Sequence, residues 1–324
     1  MFRRVKQFWW AIGVLAAALL PWVLGQYWLN MVILSLIFAI VVFSLNLLNG
    51  LAGLLSFGQA AFVGLGAYIL GVLSVHGVNP FLATVAGVFT ATAAGLLIAL
   101  PAARLKGHYL AIGTLGFGVL IFQLLLNLEI TRGPMGLSGI PTEGVPQTGW
   151  YYIVLSIVIG LGLVLRYLGD RSLLGIMLKT VKADEVAAKS CGINVFAVKL
   201  LAFGLSATLA GLAGALYGAY LRFLTPELFT TNQSFQFLMM SVVGGTGSFV
   251  GGLISSLIFT ILPEALRVVG ESNIRLLIYG IAVLSVLLFL PDGIGGLLDK
   301  QRLFRAAKPG SQKEVEKIDG GYRS

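Results

Sequence analysis

Ten apolar runs separated by short polar stretches constrain this chain more than any other feature. They lie at 8–27, 31–48, 57–75, 81–101, 108–127, 151–168, 198–221, 235–243, 249–266 and 276–290. About 20 apolar residues in a helix cross the hydrocarbon core of a bilayer. In that solvent every backbone N–H and C=O must be satisfied internally, which a helix achieves and an open sheet edge does not. Composition points the same way, with 57% hydrophobic and 11% charged residues and a mean hydropathy of +0.93, whereas soluble domains carry about 25% charge. A water-soluble fold of 324 residues built this way could not cover its own surface. Disorder is excluded too, because abundant large apolar side chains and low charge are the opposite of its signature. The expected fold class is all-α, a polytopic transmembrane helical bundle of about 8 to 10 membrane helices with short or re-entrant segments. The run at 235–243 is too short to cross as a straight helix unless its neighbours extend it.

The first run follows Arg3, Arg4 and Lys6 and exceeds the apolar core of a cleavable signal peptide, so it reads as a retained helix. With the N-terminus inside and ten crossings, 18 of the 22 Lys and Arg fall on the inner side, the exceptions being Arg132, Arg222, Arg267 and Arg275. Cytoplasmic loops collect basic residues, so both termini are expected in the cytoplasm. The organisation is then a cytoplasmic N-terminus at 1–7, a transmembrane domain at 8–290 with a polar cytoplasmic loop at about 169–197, and a basic tail at 291–324. The net charge of +9 is accounted for by this asymmetry, and no nucleic acid is implied. One cysteine, Cys191, and two distant histidines, His76 and His108, indicate neither a disulfide nor a metal site. No cofactor is expected.

The predicted span centres carry no ionisable residue, which argues against proton or ion coupling. They do carry Asn46, Asn49, Gln59, Gln123, Asn127, Ser206 and Thr208, which act either as hydrogen-bonding glue between helices or as the lining of a path. Small residues recur four apart at Ser206, Ala210, Gly214 and Gly218, with a second row at Ala207, Gly211, Ala215 and Ala219. Residues at this spacing share a helix face, so a second backbone should lie closely on this strip. Two runs are broken by glycine. One carries Asn49, Ser56 and Gln59, and the other Gly244, Gly245 and Gly247. They mark either tight turns between helices or discontinuous helices lining a solute path.

The stretch 169–197 is the most polar interior part of the chain. Its centre, 175–190, has few helix breakers and Gly192 with Asn194 supplies a stop, so one short surface helix is expected. Gly192 should take positive φ. That helix either lies on anionic lipid or docks a partner through a small patch at Ala187 and Ala188, flanked by Asp184, Glu185 and Lys189. There is no GxxxxGK[ST], HExxH, GxSxG or paired-carboxylate constellation, so any ATP-driven step belongs to a separate chain. A membrane-embedded enzyme would need clustered titratable groups, whereas Glu129, Glu143 and Glu227 are scattered.

Four stretches resemble the membrane permease subunits of branched-chain amino acid ATP-binding-cassette (ABC) importers, of the LivM type. They are NGLAGLLSFGQAAFVGLGAY at 49–68, GPMGLSGIP at 133–141, KADEVAAKSCGINVFAVKLLAFGLSATLAGLAGALYGAYLRFLTPELF at 182–229, and SVVGGTGSFVGG at 241–252. The resemblance implies a multi-pass subunit of a bacterial or archaeal plasma membrane. Its implied partners are a second, related permease, two cytoplasmic ATPases and an extracytoplasmic solute-binding protein. It also implies that Asp184, Glu185, Ala187, Ala188 and Gly192 form an EAA-like ATPase-coupling segment, with Val186 inserted relative to the maltose-type motif. Related permeases carry urea, short amides or sugars, so another small polar solute is the alternative, and a secondary transporter is a weaker one.

Overall fold

The computed structural model describes residues 20–102, 108–142 and 144–266, with 280, 281, 284 and 293–296. The segment 1–7, residues 8–19 of the first run, most of 276–290 and most of the tail at 291–324 lie outside the described residues. The described chain is helical, as expected. Eight helices correspond to apolar runs: α1 (Gln26–Leu45), α2 (Gln59–Val75), α3 (Pro80–Ala102), α4 (His108–Asn127), α5 (Gln147–Arg171), α8 (Val195–Leu221), α9 (Thr231–Gly244) and α10 (Phe249–Ala265). The polar loop contributes α6 (Leu173–Ala183) and α7 (Glu185–Ser190). Helix α1 begins five residues before the second apolar run, at the Gly25 cap. The polar Asn30 is tolerated inside it because Asn30 Oδ1 accepts from the Tyr220 hydroxyl at 2.5 Å.

Five helices among the described residues are long and apolar enough to cross a membrane: Gln26–Leu51, Pro80–Pro101, Tyr109–Asn127, Gln147–Arg171 and Val195–Leu221. Helix α9 has 14 residues, about 21 Å of helix, and does not reach across about 30 Å of hydrocarbon.

Helix α8 runs through the middle, against α1, α2 and α3, while α1 also carries α5 and α10. Its two small-residue rows explain the close approach. On the first row, a Cβ at Gly214 would overlap the carbonyl oxygen of Val63, and one at Gly218 would sit 3.2 Å from that of Ala67, both on α2. Ser206 and Ala210 of the same row are buried. On the second row, Gly211 meets Ala91 and Ala207 meets Gly95, both on α3. A Cβ at Gly66 would in turn overlap the Gly211 carbonyl, and one at Gly87 would come within 2.6 Å of the Gly66 carbonyl. Thr92 and Thr208 hydrogen-bond at 2.8 Å between α3 and α8. Dispersion between closely approached backbones, rather than a hydrophobic driving force, is what associates helices in lipid.

At the end of α8, Arg222 takes a left-handed conformation (φ 60°). It turns the chain into a two-residue strand, β2 (Phe223–Leu224), that pairs antiparallel with β1 (Leu137–Ser138). Arg222 Nη2 donates to the Thr142 carbonyl at 3.1 Å, and Thr142 Oγ1 donates to the Ala219 carbonyl at 2.7 Å. The 133–141 stretch is thereby fastened to the helix end.

Candidate functional site

Both glycine-broken runs are breaks between helices, and they meet. Helix α1 widens into a π turn over Asn46–Leu51, residues 52–58 are non-helical, and α2 restarts at Gln59. Helix α9 stops at Gly244. Gly245 (φ 94°) and Gly247 (φ 92°) then turn the chain, and Ser248 caps α10 by accepting from the Gly251 amide. A Cβ at Gly50 would overlap the backbone of Gly247, so side-chain-free residues in both breaks let the two backbones touch. Asn46 clamps the crossing. Its Nδ2 donates to the Ser248 carbonyl at 2.9 Å and its Oδ1 accepts from Ser241 Oγ at 2.7 Å.

The remaining polar side chains of the first break divide into satisfied and open atoms. Gln59 Nε2 donates to Ser44 Oγ at 2.6 Å and Ser206 Oγ at 3.0 Å, and Ser206 Oγ donates to the Ser44 carbonyl. This knot ties α1, α2 and α8 together. Gln59 Oε1, Ser56 Oγ and both amide atoms of Asn49 are buried without a hydrogen-bond partner among the described residues, although Asn49 is only 7% exposed. Leaving such atoms without a partner costs about 1–3 kcal/mol each, so they are expensive features of the folded chain. The start of α2 is itself capped from elsewhere, since the Ala60 amide donates to Ser234 Oγ and the Phe57 amide to Thr114 Oγ1.

The polar loop is two helices rather than the single one expected. Asp184 adopts extended backbone between them, and its carboxylate accepts from the amides of Val186 and Ala187. An aspartate that caps a new helix ends the previous one. Gly192 closes α7 with φ 78°, and the Ile193 amide returns to the Ala188 carbonyl, the αL ending that favours glycine. Ala187 and Ala188 do not form one outward patch, a correction to the expectation above. Neighbouring helical residues diverge by about 100°, so Ala188 is fully buried within the chain while Val186 and Ala187 face out.

Three lysines of this region escaped the sequence reading as structural elements. Lys199, in the first turns of α8, is 2% exposed and pairs with Glu185 Oε1 at 2.6 Å. Lys182 Nζ donates to the Gly50 carbonyl at 2.7 Å, and Lys179 Nζ to that of Gly169 at 2.6 Å. Counted by charge alone, each reads as a solvated loop residue. For Lys179 and Lys182 the signal was position, since basic residues gather at helix C-terminal carbonyls. Among the described residues no cluster of His, Cys, Asp or Glu could hold a metal.

A family profile described as branched-chain amino acid transport system, permease component, matches residues 27–289. The chain is 33% identical over 321 residues to the high-affinity branched-chain amino acid transport system permease protein LivM of Escherichia coli strain K12, covering 89% of this chain and 74% of the relative. The probable branched-chain amino acid transport permease protein LivM of Methanocaldococcus jannaschii is 24% identical over 254 residues, 72% and 69% of the two chains. The ribose import permease protein RbsC of E. coli K12 is 29% identical over 170 residues, 48% and 53% of the two chains. No solved structure matches. The matched profile spans all eight apolar helices, both breaks and the polar loop, and the chain belongs to the family of branched-chain amino acid transport permeases: a multi-pass helical membrane protein, and not an enzyme.

Proposed function

We propose that the protein is the membrane-spanning permease of an ABC importer in a bacterial or archaeal plasma membrane, carrying branched-chain amino acids past the crossing of the two breaks. The observation that carries this reading is the pair of buried, touching interruptions with unpartnered polar atoms at Asn49, Ser56 and Gln59. Irregular backbone at membrane depth is tolerated where it faces a cavity or protein rather than lipid. These polar atoms are buried in the isolated chain, and a movement that parts the two breaks would open them to a passing solute's amino and carboxylate groups.

The excess of Lys and Arg puts the polar loop on the cytoplasmic side, where two ATPases would bind. An extracytoplasmic binding protein would deliver solute on the opposite face. Reconstitution with these partners in vesicles tests the reading. Leucine should stimulate ATP hydrolysis and accumulate, whereas stimulation by ribose instead would transfer the assignment to sugar transport, the activity named for the ribose permease relative.

Docking through the loop makes a separate prediction. Ala187 lies on the outward side of α7, beside Val186 at 69% exposure. Ala187→Arg should leave membrane insertion unchanged while lowering co-purification of the ATPases about tenfold, because a truncated or blocked interface centre typically costs at least about 1–2 kcal/mol. If the loop merely rests on anionic lipid, the added positive charge would be harmless and co-purification would be retained.

A further inference from the structure

We propose that Lys182 is the positioning residue that carries movement of the cytoplasmic loop to the crossing of the two breaks, an assignment that rests on the transport reading above. Lys182 occupies the last turn of α6, two residues before the Asp184 interruption. Its ammonium is held by the Gly50 carbonyl at 2.7 Å, at the end of the π turn. Its aliphatic stem lies on Gly53, where a Cβ would come within 2.7 Å of Lys182 Cγ and where φ is 69°. Gly50 in turn rests on the backbone of Thr246 and Gly247. The chain of contact is therefore α6, Lys182, the first break, then the second break, with one flexible side chain in it.

The other anchors of the loop make no hydrogen bond to the first break, although Gly169 packs against the Leu51 side chain at its edge. Lys179 binds the Gly169 carbonyl at the end of α5, and Glu185 binds Lys199 in α8. Both partners belong to uninterrupted helices, whereas the Lys182 contact reaches the one place where α1 has lost its regular helical bonding. A cation suits that position, because the carbonyls at a helix C-terminus are the negative end of its dipole. A charge-assisted bond of this kind is shorter and stronger than a neutral one. An ATPase pushing on Val186 and Ala187 would rotate α7 about Asp184 and draw α6, and with it Gly50, along the second break.

Lys182→Met keeps the stem on Gly53 and removes the donor, and Lys182→Arg keeps a donor and the charge. Both are to be purified as the complete complex and measured in vesicles with leucine and its binding protein. The expected result for Lys182→Met is normal complex yield and unchanged basal ATP hydrolysis. Its leucine-stimulated hydrolysis and its leucine carried per ATP should fall about tenfold, the loss expected for one charge-assisted hydrogen bond. Lys182→Arg should restore most of both. Wild-type coupling in Lys182→Met would overturn the proposal, and so would a loss of complex yield or a proportional fall of basal and stimulated hydrolysis, which a merely structural contact predicts. Failure of the wild-type complex to respond to leucine would instead count against the transport reading itself.

Discussion

Gly214→Leu should destabilise the folded subunit by about 3 kcal/mol, the upper part of the range for overpacking, and sharply reduce the yield of assembled protein. The reason lies in what the new side chain meets. Even its Cβ would overlap the main-chain oxygen of Val63, and a carbonyl fixed within α2 cannot rotate aside as a flexible side chain would. Separating α8 from α2 to make room would also pull on Gly66 against Gly211 and on the Gln59 hydrogen bonds to Ser44 and Ser206. Two controls give the prediction its shape. Gly218→Ala, with its Cβ 3.2 Å from the Ala67 carbonyl, requires a shift of only tenths of an ångström and should cost well under half as much. Gly160→Leu, where nothing lies within 4 Å of a Cβ, should be close to neutral. Thermal unfolding in detergent and yield from the membrane order the three variants. Equal effects from Gly214→Leu and Gly160→Leu would show that the strip does not hold α8 on α2.

The strip was legible because its cause is local, residues four apart on one helix sharing a face. The breaks were legible as glycine interruptions of apolar runs for the same reason. Their meeting was not, since Gly50 and Gly247 are joined by contacts between segments nearly 200 residues apart, and no periodicity encodes which break lies against which. The sorting of Asn46 from Asn49 also needed tertiary structure. Both are amides in one apolar run, yet Asn46 has its donor and acceptor taken by Ser248 and Ser241 while Asn49 has neither. In the loop, Asp184 was read as one member of a docking motif, although its residue type is a strong N-cap and its carboxylate splits the expected helix in two. Burial of Ala188 and Lys199 was hidden by composition. A lysine at the edge of an apolar run is usually solvated, and the position of Glu185 explains why this one is not.

That buried pair supports a prediction whose asymmetry is diagnostic. Lys199 is 2% exposed, whereas Glu185 is 30% exposed, so the two partners stand in different dielectric surroundings. Glu185→Ala leaves a buried ammonium without its counter-ion, and breaking such a pair from that side costs about 3–5 kcal/mol. Lys199→Met fills the same volume without charge, and the freed carboxylate can turn toward water, so its cost should be nearer 1 kcal/mol. The double variant should then be more stable than Glu185→Ala alone, because removing the lysine removes the stranded charge. Unfolding midpoints of the two single variants and the double variant form the cycle that measures this. If Glu185→Ala is no worse than Lys199→Met, the lysine has found other solvation and the pair is not what fixes α7 to α8. The same variants separate folding from coupling. If the double variant regains stability and also regains leucine-stimulated ATP hydrolysis, the ion pair serves only to hold the loop in place. If stability returns and stimulation does not, the contact between α7 and α8 is itself part of how a push on the loop reaches the spans.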